Sequence, residues 1–208
     1  MPVARVAGDG LRKVFDRRVI FENVSFALEG LGTLLITGRN GSGKSTLVKI
    51  IAGALTPSAG RLRVEAEGVT GEFERQGMIG LVSPYLQLYE EFTAEENLRH
   101  ASAIRGIPFD AAYAHELLRR VGLFARKDDP VRTFSSGMKQ RAKYAFALHH
   151  RPPVLLLDEP MSNLDAEGIA IVRDVMEEHR AAGPLVVATN DLTDCAHHDL
   201  RVDLNANR

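Results

Sequence analysis

The sequence predicts an α/β fold with a mainly parallel sheet, an N-terminal antiparallel β portion and an inserted helical subdomain. Short apolar runs without polar alternation recur at positions 33–37, 153–158 and 185–189, as in strands that are covered on both faces. Stretches with helical spacing of apolar residues, at 45–55 and 166–181, separate these runs. This order of strand, helix and strand is typical of a parallel sheet flanked by helices.

The remaining elements are assigned in the same way. Residues 24–28 alternate like a half-buried strand, and residues 61–65 and 78–82 also have strand character. From position 94 to about 150 the pattern is mostly helical, with breaks at Gly and Pro residues. We therefore predict a single domain over 1–208, with the helical subdomain at approximately 88–150.

Composition and charge limit the functions that the chain can have. The chain has 208 residues, 45% of them hydrophobic and 25% charged, which is ordinary for a globular domain. A formal net charge of -1 provides no basic surface for a phosphate backbone, so nucleic acid is not an expected partner. The single cysteine, Cys195, fits a reducing compartment. No apolar run approaches the roughly 18 to 20 residues that cross a bilayer, so we expect any membrane role to require a partner.

A glycine-rich loop, GRNGSGKS at 38–45, lies between a predicted strand and a predicted helix. Its spacing of glycine, four residues, glycine, lysine and serine is the phosphate-loop pattern. Glycines let successive backbone N–H groups face phosphate oxygens, and the helix N-terminus adds partial positive charge. We predict that Lys44 reaches the β and γ phosphates and that Ser45 binds Mg²⁺. The predicted nucleotide-binding residues of this segment are Gly38, Arg39, Asn40, Gly41, Ser42, Gly43, Lys44, Ser45 and Thr46.

Two adjacent acids, Asp158 and Glu159, end the apolar run LLLDE. The first acid after a buried strand is placed to hold Mg²⁺ directly or through water, and we predict this role for Asp158. Glu159 is predicted to be the general base that polarises an attacking water. The alternative is that both acids simply end a strand in solvent, but a phosphate loop in the same chain favours catalysis.

Four segments, taken in order, resemble the ATP-binding domains of ABC transporters. FSSGMKQR at 134–141 resembles the signature segment of that family, usually Leu-Ser-Gly-Gly-Gln, and MSNLD at 161–165 resembles its D-loop. Together with the phosphate loop and the LLLDE strand, they extend the resemblance over nearly the whole chain. The resemblance implies a P-loop NTPase core, ATP and Mg²⁺ as ligands, and ATP hydrolysis coupled to transport.

The resemblance also implies partners. In this family the signature closes on ATP held by the opposite subunit, so Ser135, Ser136 and Gly137 are expected to act in trans within a homodimer. The same residues are equally an ordinary helix N-cap. The family further implies an integral membrane permease subunit as a partner. The transporter is expected to be of an exporter-like or heme-exporter-like type, with this chain in the cytoplasm on the inner face of the membrane. Phe15 is expected to stack on adenine and Val19 to line the nucleotide, although a phenylalanine in a β region is more often part of the core.

Two positions depart from the family pattern. The glutamine expected after strand 78–82 aligns with Pro84, so Gln87 is the candidate replacement as metal sensor, with a plain surface glutamine as the alternative. The switch histidine is replaced by Asn190, which forms hydrogen bonds but takes no proton near neutral pH. We therefore predict that Asn190 is a catalytic residue and that basal ATP hydrolysis is slow. A soluble ABC ATPase outside transport and a weakly hydrolysing ATP switch stay open as alternatives.

Overall fold

The computed structural model of the chain describes residues 4–66 and 77–206. Within these ranges the strands form two sheets. The first is antiparallel, in the order β2-β1-β4, and lies in the N-terminal part of the chain as predicted. Its strands are β1 (Ala4–Phe15), β2 (Arg18–Glu29) and β4 (Ala59–Ala66).

The second sheet is parallel throughout, in the order β5-β6-β7-β3-β8. Its strands are β3 (Gly32–Thr37), β5 (Ile79–Val82), β6 (Val154–Asp158), β7 (Pro184–Ala188) and β8 (Leu200–Asp203). The α-helices of the described ranges include α1 (Lys44–Ile51), α2 (Ala94–Ile104), α3 (Ala111–Arg120), α4 (Ser136–Leu148) and α5 (Ala166–Arg180), and short 3-10 helices lie at Phe124–Arg126, Val131–Thr133 and Leu192–Asp194.

The central strands β3, β6 and β7 are buried at every residue, which explains their lack of polar alternation. Successive side chains point to opposite faces of the sheet. Leu155 and Leu157 pack into one hydrophobic cluster with α4 and α5, whereas Leu156 packs into a second cluster with α1 and the antiparallel sheet. The parallel sheet is therefore covered on both faces, and the predicted α/β fold is confirmed.

The helical subdomain contains α2, α3 and α4, whose starts follow capping chemistry. Thr93 and Glu96 form a reciprocal capping box at α2. The carboxylate of Asp110 accepts a hydrogen bond from the Tyr113 amide at the start of α3. No helix in 4–66 and 77–206 is long and apolar enough to cross a membrane.

Because the five strands of the second sheet are parallel, their carboxyl ends meet at one edge, which we call the carboxyl edge. The loops that leave β3, β5, β6 and β7 all begin there. In open α/β sheets this edge is where ligands bind. The opposite edge, where these strands begin, is called the amino edge.

Candidate nucleotide site

The loop between β3 and α1 requires glycine at defined positions. Gly38 and Gly43 have φ angles of 151° and 105°. A Cβ atom on Gly38 would lie 2.4 Å from Oγ of Ser42, and one on Gly43 would lie 2.6 Å from Cγ2 of Ile20. Gly43 is also the N-cap of α1 and supplies no side chain to the first turn. The helix N-terminus therefore presents backbone N–H groups suited to a phosphate.

Lys44 lies at the centre of this edge, with 6% of its side chain exposed. Its Nζ donates a hydrogen bond to the carbonyl of Gly38 at 2.9 Å and lies 3.3 Å from Oε1 of Glu159. The structure thus brings the predicted phosphate-binding lysine and the predicted base into one ion pair.

Asp158 is 1% exposed, and the Ser45 side chain forms a hydrogen bond with its carboxylate. Burial raises the pKa of Asp158, although this bond and the charges of Lys44 and Lys49 act to lower it. Within the described ranges, Oδ1 of Asp158 is buried without a hydrogen-bond partner, an arrangement that costs free energy. A buried carboxylate oxygen beside a hydroxyl is the hard oxygen donor set that Mg²⁺ prefers, so the predicted metal ligands fit the ion.

Glu159 has a left-handed backbone, with φ of 50°. Its amide donates to the carbonyl of Ala188 at 2.8 Å, which joins the ends of β6 and β7. This conformation is costly for a residue other than glycine and is maintained by the surrounding structure. The backbone therefore leaves the extended path of β6 at Glu159, the residue whose carboxylate contacts Lys44.

Asn190 follows β7 in a turn that Thr189 stabilises. The Thr189 hydroxyl donates to Oδ2 of Asp194 at 2.6 Å and accepts from the Asp191 amide at 3.0 Å. Asn190 is exposed and lines a groove of about 420 Å³ beside the phosphate loop. Other residues lining this groove include Thr37, Gly38, Arg39, Asn40, Leu192 and Arg201.

Phe15 and Val19 lie at the tip of the β1–β2 hairpin and are 43% and 37% exposed. This exposure argues against a core role for the Phe15 ring, whose centroid lies 4.7 Å from Nζ of Lys13. Ile20 follows Val19 and packs against Gly43. The hairpin tip is therefore next to the phosphate loop, as an adenine contact requires.

Ser135 is the N-cap of α4, and its Oγ accepts a hydrogen bond from the Met138 amide at 3.2 Å. Farther along α4, Gln140 and Tyr144 donate side-chain hydrogen bonds to the carbonyl of Pro160 at 3.4 and 3.0 Å. These bonds tie α4 to the segment after Glu159. The capping role of Ser135 is thus present, and action in trans by Ser135, Ser136 and Gly137 stays a prediction.

Gln87 is exposed and lines a cleft of about 340 Å³ between the loop after β5 and the start of α4. Pro84, Ser136 and Lys143 line the same cleft, whereas Ser45 and Asp158 do not. The metal-sensing role of Gln87 therefore stays a prediction.

Sequence reasoning missed two contacts of the segment 83–88. Nζ of Lys49 lies 4.1 Å from the centroid of the Tyr85 ring. Nζ of Lys143 donates to the carbonyl of Ser83 at 3.2 Å. For Lys49 the available signal was its spacing of four residues after Ser45, because residues so spaced share a helix face. The bond between Lys143 and Ser83 had no such signal.

Comparison with known proteins decides the family. Residues 21–162 match the family described as ABC transporter. The chain belongs to the ABC transporter ATP-binding family. It is 33% identical over 206 residues to the cytochrome c biogenesis ATP-binding export protein CcmA of Methylococcus capsulatus, covering 97% of this chain and 95% of that protein. It is 32% identical over 181 residues to the uncharacterized ABC transporter ATP-binding protein YybJ of Bacillus subtilis, covering 86% and 82%.

Solved structures agree with this membership. The structure of an ATP-binding subunit of an ABC transporter matches with a TM-score of 0.81 and 28% identity, over 95% of this chain and 85% of that chain. A bacterial Atm1-family ABC exporter with ATP bound matches with a TM-score of 0.83 over 96% of this chain and 37% of that chain, and at 21% identity it supports the fold. The family resemblance is confirmed, and ATP is the ligand of this ABC domain.

Proposed function

We propose that the chain is the ATP-hydrolysing subunit of an ABC transporter, in which two copies close around ATP and drive a separate membrane permease. The cluster at the carboxyl edge is the observation that carries this proposal. A buried lysine, a buried aspartate and a strained glutamate meet directly in front of the phosphate loop. Charged groups are costly to bury, and a nucleoside triphosphate with its metal ion uses each of them.

Binding follows from the loop and its neighbours. The backbone of residues 38–45 and the N-terminus of α1 would hold the phosphates, and Lys44 would contribute its charge. Ser45 and Asp158 would hold Mg²⁺, which supplies charge neutralisation on the phosphate oxygens. Phe15 and Val19 at the hairpin tip would receive the adenine. Arg39 and Asn40 would border the phosphates along the groove that Asn190 also lines.

Hydrolysis requires a group that takes the proton of the attacking water. Glu159 is 26% exposed, so water can reach its carboxylate, and Lys44 orients Oε1. As the water oxygen bonds to the terminal phosphorus, its proton passes to Glu159 and the bond to the ADP oxygen breaks. Catalysis then comes mainly from positioning and charge, as expected for phosphoryl transfer.

The partners are inferred from the family. The signature residues at the N-terminus of α4 would complete the nucleotide site of a second copy. The name of the Methylococcus relative, an ATP-binding export protein, supports a transport role. The inner face of the membrane is the location that we propose from the family. We propose an integral membrane permease as the partner for this reason.

The variant Glu159→Gln tests the proposal. Removing the proton acceptor should lower ATP turnover by about 10²- to 10⁴-fold, whereas ATP binding persists because the phosphate loop is unchanged. At millimolar ATP this variant should accumulate as a dimer in light scattering. The matched control is Glu178→Gln, which changes a glutamate paired with Arg120 far along α5.

The outcomes separate the parts of the proposal. Glu159→Gln that binds ATP and stays monomeric would contradict closure of the isolated chain around ATP. Wild-type chain that is folded and shows no calorimetric heat with Mg-ATP would contradict the whole function. Glu178→Gln should match the wild type in turnover and in mass.

A further inference from the structure

The segment that follows β8 lies beside the start of the phosphate loop. β8 pairs in parallel with β3, and the amide of Leu204 donates to the carbonyl of Thr37 at 2.9 Å. Just beyond this bond, the amide of Arg39 donates to Oδ1 of Asn205 at 3.1 Å. Asn205 is exposed, yet its side chain contacts the backbone where β3 enters the loop. The proposed nucleotide site therefore has a contact from β8 that sequence reasoning missed.

The Asn205 carboxamide is held at both of its ends. Its Nδ2 donates to Oδ1 of Asp203 at 3.0 Å, and the backbone amide of Asn205 donates to the same oxygen at 2.9 Å. The Arg39 amide requires an acceptor, and the Asp203 carboxylate requires a donor. A carboxamide supplies both groups, whereas a carboxylate at position 205 would face a second carboxylate and a methyl group would supply neither. Asparagine therefore satisfies both neighbours.

The Arg39 amide shares one peptide group with the carbonyl of Gly38, and we call this group the loop-entry peptide. The Gly38 carbonyl accepts the hydrogen bond from Nζ of Lys44 at 2.9 Å. In a trans peptide the N–H and the C=O point in opposite directions, so a bond that fixes the N–H also fixes the carbonyl. Gly38 has φ of 151° and, as a glycine, gives the peptide plane little preference of its own. The orientation of the loop-entry peptide therefore depends on its hydrogen bonds.

We propose that Asn205 is a positioning residue of the nucleotide site, which holds the loop-entry peptide so that its carbonyl keeps Lys44 in place for the phosphates. The inference rests on the proposed function, because it requires Lys44 to bind them. Without the bond from Asn205, the peptide plane can rotate and turn its carbonyl away from Nζ. The ion pair with Glu159 then draws the ammonium away from the loop. A site that is already arranged before the ligand arrives binds it more tightly, because less order has to be created on binding.

The variant Asn205→Ala removes the acceptor of the Arg39 amide. Its affinity for a fluorescent ATP analogue in the presence of Mg²⁺ should be about three- to tenfold lower than that of the wild type, which is the effect of one hydrogen bond. Because Asn205 is exposed, the variant should fold as the wild type does, and circular dichroism checks this. Leu192→Ala, which shortens another exposed side chain of the same groove, is the matched control and should bind like the wild type.

An exchange of side chains separates the hydrogen bonds from packing. Asn205→Asp retains the acceptor but places two carboxylates side by side, so it should weaken binding as Asn205→Ala does. The double variant Asp203→Asn/Asn205→Asp restores a donor at position 203 that faces an acceptor at position 205, with the net charge unchanged. It should recover most of the lost affinity. If Asn205→Ala does not fold, the comparison of Asn205→Asp with the double variant decides the same point.

The variant Lys44→Met tests whether the effect passes through the lysine. If Asn205 acts by positioning the ammonium, Asn205→Ala should lower the affinity no further in a chain that already carries Lys44→Met. A general disturbance of the loop would instead lower the affinity by the same factor in both backgrounds.

Three results would overturn the inference. They are wild-type affinity in Asn205→Ala, no recovery in the double variant, and an equal loss from Asn205→Ala in the wild-type and Lys44→Met backgrounds. In each of these cases the wild-type chain still binds the analogue, so ATP binding stands. If the folded wild-type chain does not bind the analogue, the proposed function fails and the positioning role of Asn205 fails with it.

Discussion

Ionisable side chains with little exposure to solvent occur at both edges of the parallel sheet. They form an ion pair at one edge and are neutral histidines at the other. At the carboxyl edge, Lys44 is paired with Glu159, and Asp158 is buried against Ser45. At the amino edge the corresponding groups are two half-buried histidines. His150 contacts the carbonyl of Ile79, where β5 begins, and burial lowers its pKa to about 3. Burial likewise lowers the pKa of His179 to about 4.

The difference shows which edge is built for a ligand. A buried charge costs several kcal/mol unless other groups compensate it, and neutral histidine avoids that cost at neutral pH. His150 and His179 at the amino edge are therefore held in their neutral form at neutral pH. The carboxyl edge retains an ion pair beside a buried aspartate, which is reasonable where a charged ligand completes the site.

The largest expected effect is at the carboxyl edge. Lys44→Met removes the ammonium that would contact the phosphates, and a charge-assisted hydrogen bond in such a site contributes up to about 3 kcal/mol. Affinity for a fluorescent ATP analogue should fall roughly 100-fold. His179→Gln at the amino edge should bind the analogue as the wild type does. Equal affinity in wild type and Lys44→Met would remove the functional distinction between the edges.

The carboxyl edge was also the part of the molecule that could be predicted best from the sequence. The phosphate loop depends on backbone path, and the clashes that a Cβ would cause at Gly38 and Gly43 explain why glycine occupies these positions. The buried strands were recognisable because both faces are covered, which removes polar alternation. These features are local in the chain, so a single segment is enough to predict them.

Other features are set by packing between distant segments. The sequence of β1 has no regular alternation of apolar and polar residues, and its register with β2 shifts between Gly8 and Leu11. Pairing with its neighbours rather than a local pattern therefore defines the strand. Lys143 meets Ser83 across 60 positions of chain, and nothing in either segment predicts that bond. The exposure of Phe15 at the hairpin tip likewise follows from how the antiparallel sheet meets the phosphate loop.

A smaller effect is expected from Asn190→His. The side chain at this position lines the groove beside Gly38, and histidine adds a group that exchanges protons near neutral pH. Steady-state ATP turnover should rise by about tenfold, less than the usual acid–base contribution of about 10²- to 10⁴-fold, because Glu159 is already present. Leu192→His, which changes another exposed residue lining the same groove, is the control and should leave turnover unchanged. An unchanged rate in Asn190→His would show that this position does not limit catalysis.

The smallest effect concerns the pH dependence of stability at the amino edge. Unfolded histidine has a pKa of about 6.5, whereas burial holds the pKa of His150 near 3, so the unfolded state binds the extra proton. The contribution of neutral His150 to folding stability is therefore fully present above about pH 6.5 and is lost as the pH falls toward 3. Between pH 7.5 and 5.5 the His150 contribution to the free energy of unfolding should fall by roughly 1 kcal/mol.

Urea unfolding at the two pH values measures this contribution. His150→Gln can still donate to the carbonyl of Ile79 but does not titrate, so its loss of stability on acidification should be roughly 1 kcal/mol smaller than that of the wild type. His198→Gln, at an exposed position, should lose as much as the wild type. If His150→Gln also loses as much, protonation of His150 does not oppose folding, and the amino edge tolerates charge as the carboxyl edge does.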